Sequence, residues 1–310
     1  MNKIVFLDEY SIAGRDMSKV SEQGDYTAYE NTRKEDVVER LKGATIAISN
    51  KVMIDGEAMR QLPDLKLICV AATGMNNVDL VTAKELGIEV KNAVGYSTSA
   101  VAETTLASAL ALARHIVYFD EYFHDGRYAN ADRAFCFDRL TFEIRGKKWG
   151  IVGLGNIGRE VARLATAFGC EVRYFSTSGA KREEAYPAME LNELLEWSDI
   201  LSVHSPLNER TRGLIGREEL KRMKPSAMII NVARGGIIDE AALAEALDNG
   251  WVSAAALDVF SVEPLRESPL YNIKDRYRLL GSPHNAWAAS EAIDRLIDCV
   301  AENIRTFLEK

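Results

Sequence analysis

The stretch GIVGLGNIG, residues 150–158, constrains the fold more than any other part of the chain. An apolar run leads into Gly153-x-Gly155-x-x-Gly158, and an amphipathic stretch follows it. Strand, glycine turn and helix in that order open a mononucleotide-binding βαβ unit. Gly153 permits the tight turn, Gly155 lets the backbone approach a pyrophosphate, and Gly158 lets the helix lie close to the strand. The amides of Asn156 and Ile157, at the start of that helix, would face the phosphates. A glycine turn kept for packing alone is the competing explanation. The ordered strand–turn–helix–strand context favours dinucleotide binding.

The same alternation runs through the whole sequence. KIVFLD, YTAYE, TIAISN, LKLICVAAT and IEVKNA read as strands, with helical RKEDVVERLKG, DGEAMRQLP and DLVTAKELG between them. Later, KWGIVGLG, EVRYFST, DILSVHS, AMIINVA and VSAAALDVF read as strands, separated by helices such as NIGREVARLATAFG and EAALAEALDNG. Such alternation builds parallel sheets with covering helices. Residues 99–119 are apolar nearly all round and read as one long buried helix. Residues 123–146 are irregular and aromatic, a loop or lid, and an amphipathic helix over residues 290–308 follows later. The expected fold is α/β, with two doubly wound parallel-sheet domains, Rossmann- and flavodoxin-like, and an active-site cleft between them.

Composition narrows the classes of function. With 310 residues the chain can form two domains, and 47% apolar residues supply their cores. A formal charge of −8 argues against a nucleic-acid partner and against an anionic membrane surface. Cys69, Cys136, Cys170 and Cys299 are scattered without metal-ligand spacing, so reduced thiols and no metal site are expected. The N-terminal MNKIVFLDEY lacks the features of a signal peptide, and ALALARHIVYF is too short to span a bilayer. A cytoplasmic protein of enzyme size is the expectation.

The second strand of the glycine unit raises the question of which dinucleotide binds. In an NAD site the residue about 20 positions beyond the glycines is acidic and bonds the ribose hydroxyls. Here YFSTSG places Ser176, Thr177 and Ser178 there, with Lys181 and Arg182 close behind. Hydroxyls do not repel a 2′-phosphate as a carboxylate would, and neighbouring cations attract it. NADP is therefore the expected preference. A permissive NAD site with a solvated basic loop is the alternative.

Four histidines are present. His115 falls inside the long apolar segment and His124 just beyond it, where structural or solvated roles are expected. His204, in SVHSPL, ends a strand at the carboxyl edge of the sheet, where ligands of open α/β folds bind. His284 in GSPHNAW, Arg234 in NVARGGIIDE and Glu263 in LDVFSVEP likewise follow strands. Three such side chains can converge on one crevice, and spacing alone equally allows three unconnected surface groups.

Together, GIVGLGNIG, HSPLNERTRGLI, MKPSAMIINVARGGIIDEAALAEAL, AAALDVFSVEP and SPHNAW resemble the D-isomer-specific 2-hydroxyacid dehydrogenase family over essentially the whole chain. STSG and PHNAW, with Trp287, are most similar to its glycerate dehydrogenase and hydroxypyruvate reductase branch. The resemblance implies a substrate-binding domain of residues 1–98 with 287–310, and a dinucleotide-binding domain of residues 99–286. It implies reversible reduction of a small 2-oxoacid with NADP or NAD, in a homodimer. Arg234 would bind the substrate carboxylate and polarise the carbonyl, and His284 would protonate its oxygen. Glu263 would orient His284 and raise its pKa. Asp258 would contact the nicotinamide carboxamide, with Val232, His204, Pro206 and Thr211 near the cofactor. In AATGMNNVD, the turn of Thr73, Gly74 and Met75 would receive the substrate carboxylate on backbone amides.

Some positions depart from the family's usual pattern. Ala72 stands where a further glycine is common, Asn285 replaces an aliphatic residue, and Cys136 and Phe137 stand where glycerate-type members often carry Trp. The motifs also fit D-lactate, D-3-phosphoglycerate or a bulkier 2-oxoacid as substrate. From a different class, corepressors sharing this fold keep the same three residues, so a dinucleotide-sensing interaction protein is the alternative.

Overall fold

Parallel strands covered on both faces must be apolar along their length, and most of the strand runs here are. The computed structural model, which describes residues 2–179 and 184–310, arranges them in two sheets. β1 (Lys3–Phe6), β2 (Asp25–Ala28), β3 (Ile46–Ser49), β4 (Leu67–Val70) and β5 (Glu89–Asn92) form the first, in the order β2-β1-β3-β4-β5. β6 (Lys148–Val152), β7 (Glu171–Phe175), β8 (Ile200–Val203), β9 (Met228–Asn231), β10 (Ala254–Leu257) and β11 (Leu279–Gly281) form the second. Its order is β11-β10-β9-β8-β6-β7. Every pairing in both sheets is parallel. The inner strands β3, β4, β8 and β9 are buried at every residue, whereas the edge strands β2 and β5 are only partly covered.

The chain divides into two compact units. One runs to Ser97 and is completed by Ala288–Lys310, and the other is Thr98–Trp287. In the first, the helix Ser290–Leu308 buries Ile293, Leu296, Ile297, Val300 and Ile304 and lies against β4 and β5. Those positions recur at helical spacing, so the face that returns the chain to the first sheet is written in the sequence.

In the second unit, the single helix expected over residues 99–119 is two helices, Thr98–Ala113 and Ile116–His124, bent by 62°. His115 is the break, in the left-handed region at φ 49°. The first helix packs on β9, β10 and the helix Asn156–Ala167, which accounts for its apolar character all round. The second leaves Ile116, Val117 and Phe123 exposed. Residues 126–147 form neither helix nor strand, and Phe135, Phe137 and Leu140 within them are exposed. Among the described residues no single helix is long and apolar enough to cross a membrane.

Candidate active site and dinucleotide site

The glycine turn has the geometry its spacing implies. Gly153 has a φ of +93°, and a Cβ there would stand 3.0 Å from the Ser205 amide. A Cβ on Gly158 would stand 2.3 Å from the Gly153 carbonyl oxygen, so helix and turn approach this closely only around a glycine. A Cβ on Gly155 would meet nothing within 4 Å. Gly155 is also the N-cap of the helix Asn156–Ala167 and supplies no side-chain cap. An uncapped helix start facing open space, with Asn156 and Ile157 in its first turn, suits the phosphates of a dinucleotide. Next to the turn, Ser205 Oγ and His204 Nδ1 are buried without a hydrogen-bond partner, as polar atoms awaiting a bound group would be.

His204 Nε2 lies 2.9 Å from Ser202 Oγ, which also accepts from the Trp149 indole at 2.9 Å. Burial pushes the His204 imidazole down to about 3. It is therefore neutral in the fold and suited to lining a pocket rather than to moving protons near neutrality.

At the end of β7, the Ser176 and Ser178 hydroxyls are 3.4 Å apart. Arg210 donates to the Ser178 carbonyl at 3.3 Å, which puts a guanidinium at this strand end that the sequence did not single out. The order β8-β6-β7 brings the loop after β8 towards β7, although the two are distant in sequence. Thr211 braces that loop, donating to Pro206 O at 2.6 Å and accepting from the Asn208 amide at 2.8 Å. Lys181 and Arg182, expected to supply charge, lie outside the described residues.

Glu263 and His284 meet directly. His284 Nδ1 is 2.7 Å from Glu263 Oε2, and Glu263 Oε1 accepts from the Phe260 amide at 3.0 Å. Arg234 is tied to the pair through the backbone. A Cβ on Gly235 would stand 1.9 Å from the Phe260 carbonyl, so the loops after β9 and β10 touch main chain to main chain. Asn231 shapes the first of these loops, donating to Arg234 O and accepting from the Ala233 amide. The Arg234 guanidinium donates to Ala233 O at 2.7 Å.

His284 itself is left-handed, with φ 56°, a conformation that surrounding bonds must hold. Asp258 provides them. Its carbonyl accepts from the His284 amide at 2.8 Å. Its buried carboxylate accepts from Ser282 Oγ at 2.5 Å and from the amides of Asn285 at 2.8 Å and Ala286 at 2.9 Å. The residue expected to contact nicotinamide thus clamps the loop that carries the imidazole. Asp258 and Val232 also line a pocket of about 320 Å³ with Thr104, Ser108 and Ser282, at the carboxyl ends of β9, β10 and β11. Thr104 and Ser108 were not legible in the sequence, because only the packing of the helix Thr98–Ala113 on β9 and β10 brings them there.

In the other unit, Thr73, Gly74 and Met75 follow β4 in a partly exposed turn. Thr73 Oγ1 donates to Ala93 O at 2.9 Å, and Asn92 donates to Thr73 O at 2.6 Å.

A family model described as D-isomer specific 2-hydroxyacid dehydrogenase, NAD binding domain, matches residues 106–286. The chain is 39% identical to a glycerate dehydrogenase of Methylorubrum extorquens, covering 99% of this chain and 96% of that one. It is 35% identical to a hydroxypyruvate reductase of Blautia hydrogenotrophica, covering 99% and 97%. Among solved structures, an NADPH-dependent glyoxylate/hydroxypyruvate reductase of Sinorhizobium meliloti superposes with a TM-score of 0.87 at 25% identity, over 100% of this chain and 96% of that one.

Proposed function

Since the chain belongs to the D-isomer-specific 2-hydroxyacid dehydrogenase family, we propose that it reversibly reduces a small 2-oxoacid of the hydroxypyruvate or glyoxylate type, with NADP preferred over NAD. The observation that carries this reading is the Glu263–His284 contact of 2.7 Å at Nδ1, which leaves Nε2 of the imidazole to meet a substrate. A bound nicotinamide dinucleotide would supply the hydride. His284 delivers a proton to the carbonyl oxygen, and Arg234 binds the carboxylate and offsets charge developing on that oxygen. The turn of Thr73, Gly74 and Met75 takes the substrate carboxylate on its amides. Ser176, Thr177, Ser178 and Arg210 support the coenzyme preference, since they offer a 2′-phosphate hydroxyl donors and a guanidinium at the end of β7.

Initial rates on hydroxypyruvate, glyoxylate and pyruvate with each coenzyme test the reading. Highest efficiency is expected for hydroxypyruvate or glyoxylate with NADPH. Equal efficiency with NADH contradicts the coenzyme preference. Tight dinucleotide binding without turnover of any oxoacid contradicts the enzyme reading and favours the sensing protein.

We place the activity in the cytoplasm and in a homodimer. Exposed Ile116, Val117, Phe123, Phe135, Phe137 and Leu140 concentrate in one segment of the second unit, and a second copy is the proposed cover. Sedimentation at twice 34.4 kDa is expected, with Phe135→Asp combined with Phe137→Asp shifting it towards monomer. A monomeric native chain contradicts this.

A further inference from the structure

The first unit buries a carboxylate that the proposed reaction does not use. Asp8, just beyond β1, is 0% exposed. It accepts from three consecutive amides beyond β3: Asn50 at 2.9 and 3.1 Å, Lys51 at 2.6 Å and Val52 at 3.2 Å. Consecutive N–H groups converging on one point form an anion-binding concavity. The strand order reverses between β1 and β3, and the crevice outside the carboxyl ends there is where open α/β sheets bind ligands. In this chain its own carboxylate fills the concavity. Burial holds the Asp8 carboxyl above the ordinary carboxylate range, and the three amides with Lys51 offset only part of that rise. Without those donors a carboxylate would not be kept at this depth.

The filled concavity is joined to the turn of Thr73, Gly74 and Met75. Buried Asn77 donates through Nδ2 to Ser49 Oγ at 3.3 Å and to Val52 O at 3.2 Å. Ser49 Oγ donates to the same carbonyl at 2.9 Å. The Ile54 amide donates to Asn77 O at 2.8 Å, and the Val78 amide closes back on Met75 O at 3.1 Å. Residues 50–52 therefore rest on Asp8, and the turn after β4 rests on residues 49–54.

We propose that Asp8 is a positioning residue: an internal anion that fills the amide concavity of residues 50–52 and, through Asn77, sets the turn that receives the substrate carboxylate. The proposal rests on the function proposed above. Without Asp8, three amides, two of them on buried residues, lose their acceptor and the loop must move to water. A small anion can take its place, because the amides converge on a space one carboxylate in size.

Asp8→Ala is assayed with and without formate, beside the native protein in the same buffer. The expected result is a KM for the oxoacid raised about tenfold, with kcat and the NADPH KM within about twofold of native. Formate should bring the KM down and raise the melting temperature of Asp8→Ala alone. Asn77→Ala should raise the KM without any response to formate. An unchanged KM, or losses in all constants that formate does not reverse, overturns the proposal. If Asp8→Ala does not fold, Asp8→Asn carries the test. It keeps the volume but removes the charge and one of the two acceptor oxygens, both of which the Asn50 amide meets, so a smaller rise in KM is expected and an unchanged KM overturns the proposal. If the native protein turns over no oxoacid, the functional reading fails by itself. The melting shift of Asp8→Ala with formate then decides whether the concavity is an anion site.

Discussion

Glu263 is held at both carboxylate oxygens, one by the Phe260 amide at 3.0 Å and the other by His284 Nδ1 at 2.7 Å. The imidazole is thereby oriented through one nitrogen. Glu263→Gln keeps the size of the side chain but removes the full charge facing the His284 ring. An about 10- to 100-fold fall in kcat is expected, with dinucleotide affinity unchanged. Steady-state rates and a fluorescence titration with NADPH check it.

Gly235 lets the Arg234 loop rest on Phe260, where a Cβ would stand 1.9 Å from the carbonyl group. Gly235→Ala must push the loops apart. A loss of about 1–3 kcal/mol in stability is expected from the overpacking. The separation of Arg234 from Glu263 should also lower kcat/KM by more than tenfold. Urea denaturation and kinetics measure the two effects separately.

His204 makes stability depend on pH. Part of its surface is accessible, but Nδ1 is enclosed, and burial sets its imidazole at about 3 against an ordinary 6.5. Between those values the unfolded chain binds the proton and the folded chain does not. Stability from this group is therefore fully present above pH 6.5 and is lost as pH falls towards 3. The urea midpoint should drop between pH 7 and pH 5, and His204→Asn should drop less.

Coenzyme choice is expected to turn on the end of β7. Ser176→Asp sets a carboxylate against a 2′-phosphate and should lower kcat/KM for NADPH while sparing NADH. Arg210→Ala, which removes the guanidinium beside Ser178, should raise the KM for NADPH more than that for NADH. Paired coenzyme titrations on both variants decide it.

How much of this was legible depended on whether the signal was local. The Gly153–Gly158 turn and the helix Ser290–Leu308 follow from short spacings, and both stand where the pattern puts them. Glu263 and His284 were named from motifs, but their contact depends on β10 and β11 lying side by side. The same pairing lets Asp258 reach the loop around His284, and no spacing announces that clamp. Arg210 was missed because the strand order, not the chain, carries its loop to β7. The break at His115 was missed because neither glycine nor proline marks it, and a left-handed histidine is uncommon.

The most direct test of the central claim is single-turnover reduction of hydroxypyruvate by His284→Ala with NADPH already bound. Loss of at least about a hundredfold in the hydride-transfer rate, with the NADPH dissociation constant unchanged, is the result expected of a proton donor at this position. A transfer rate equal to that of the native protein would contradict it.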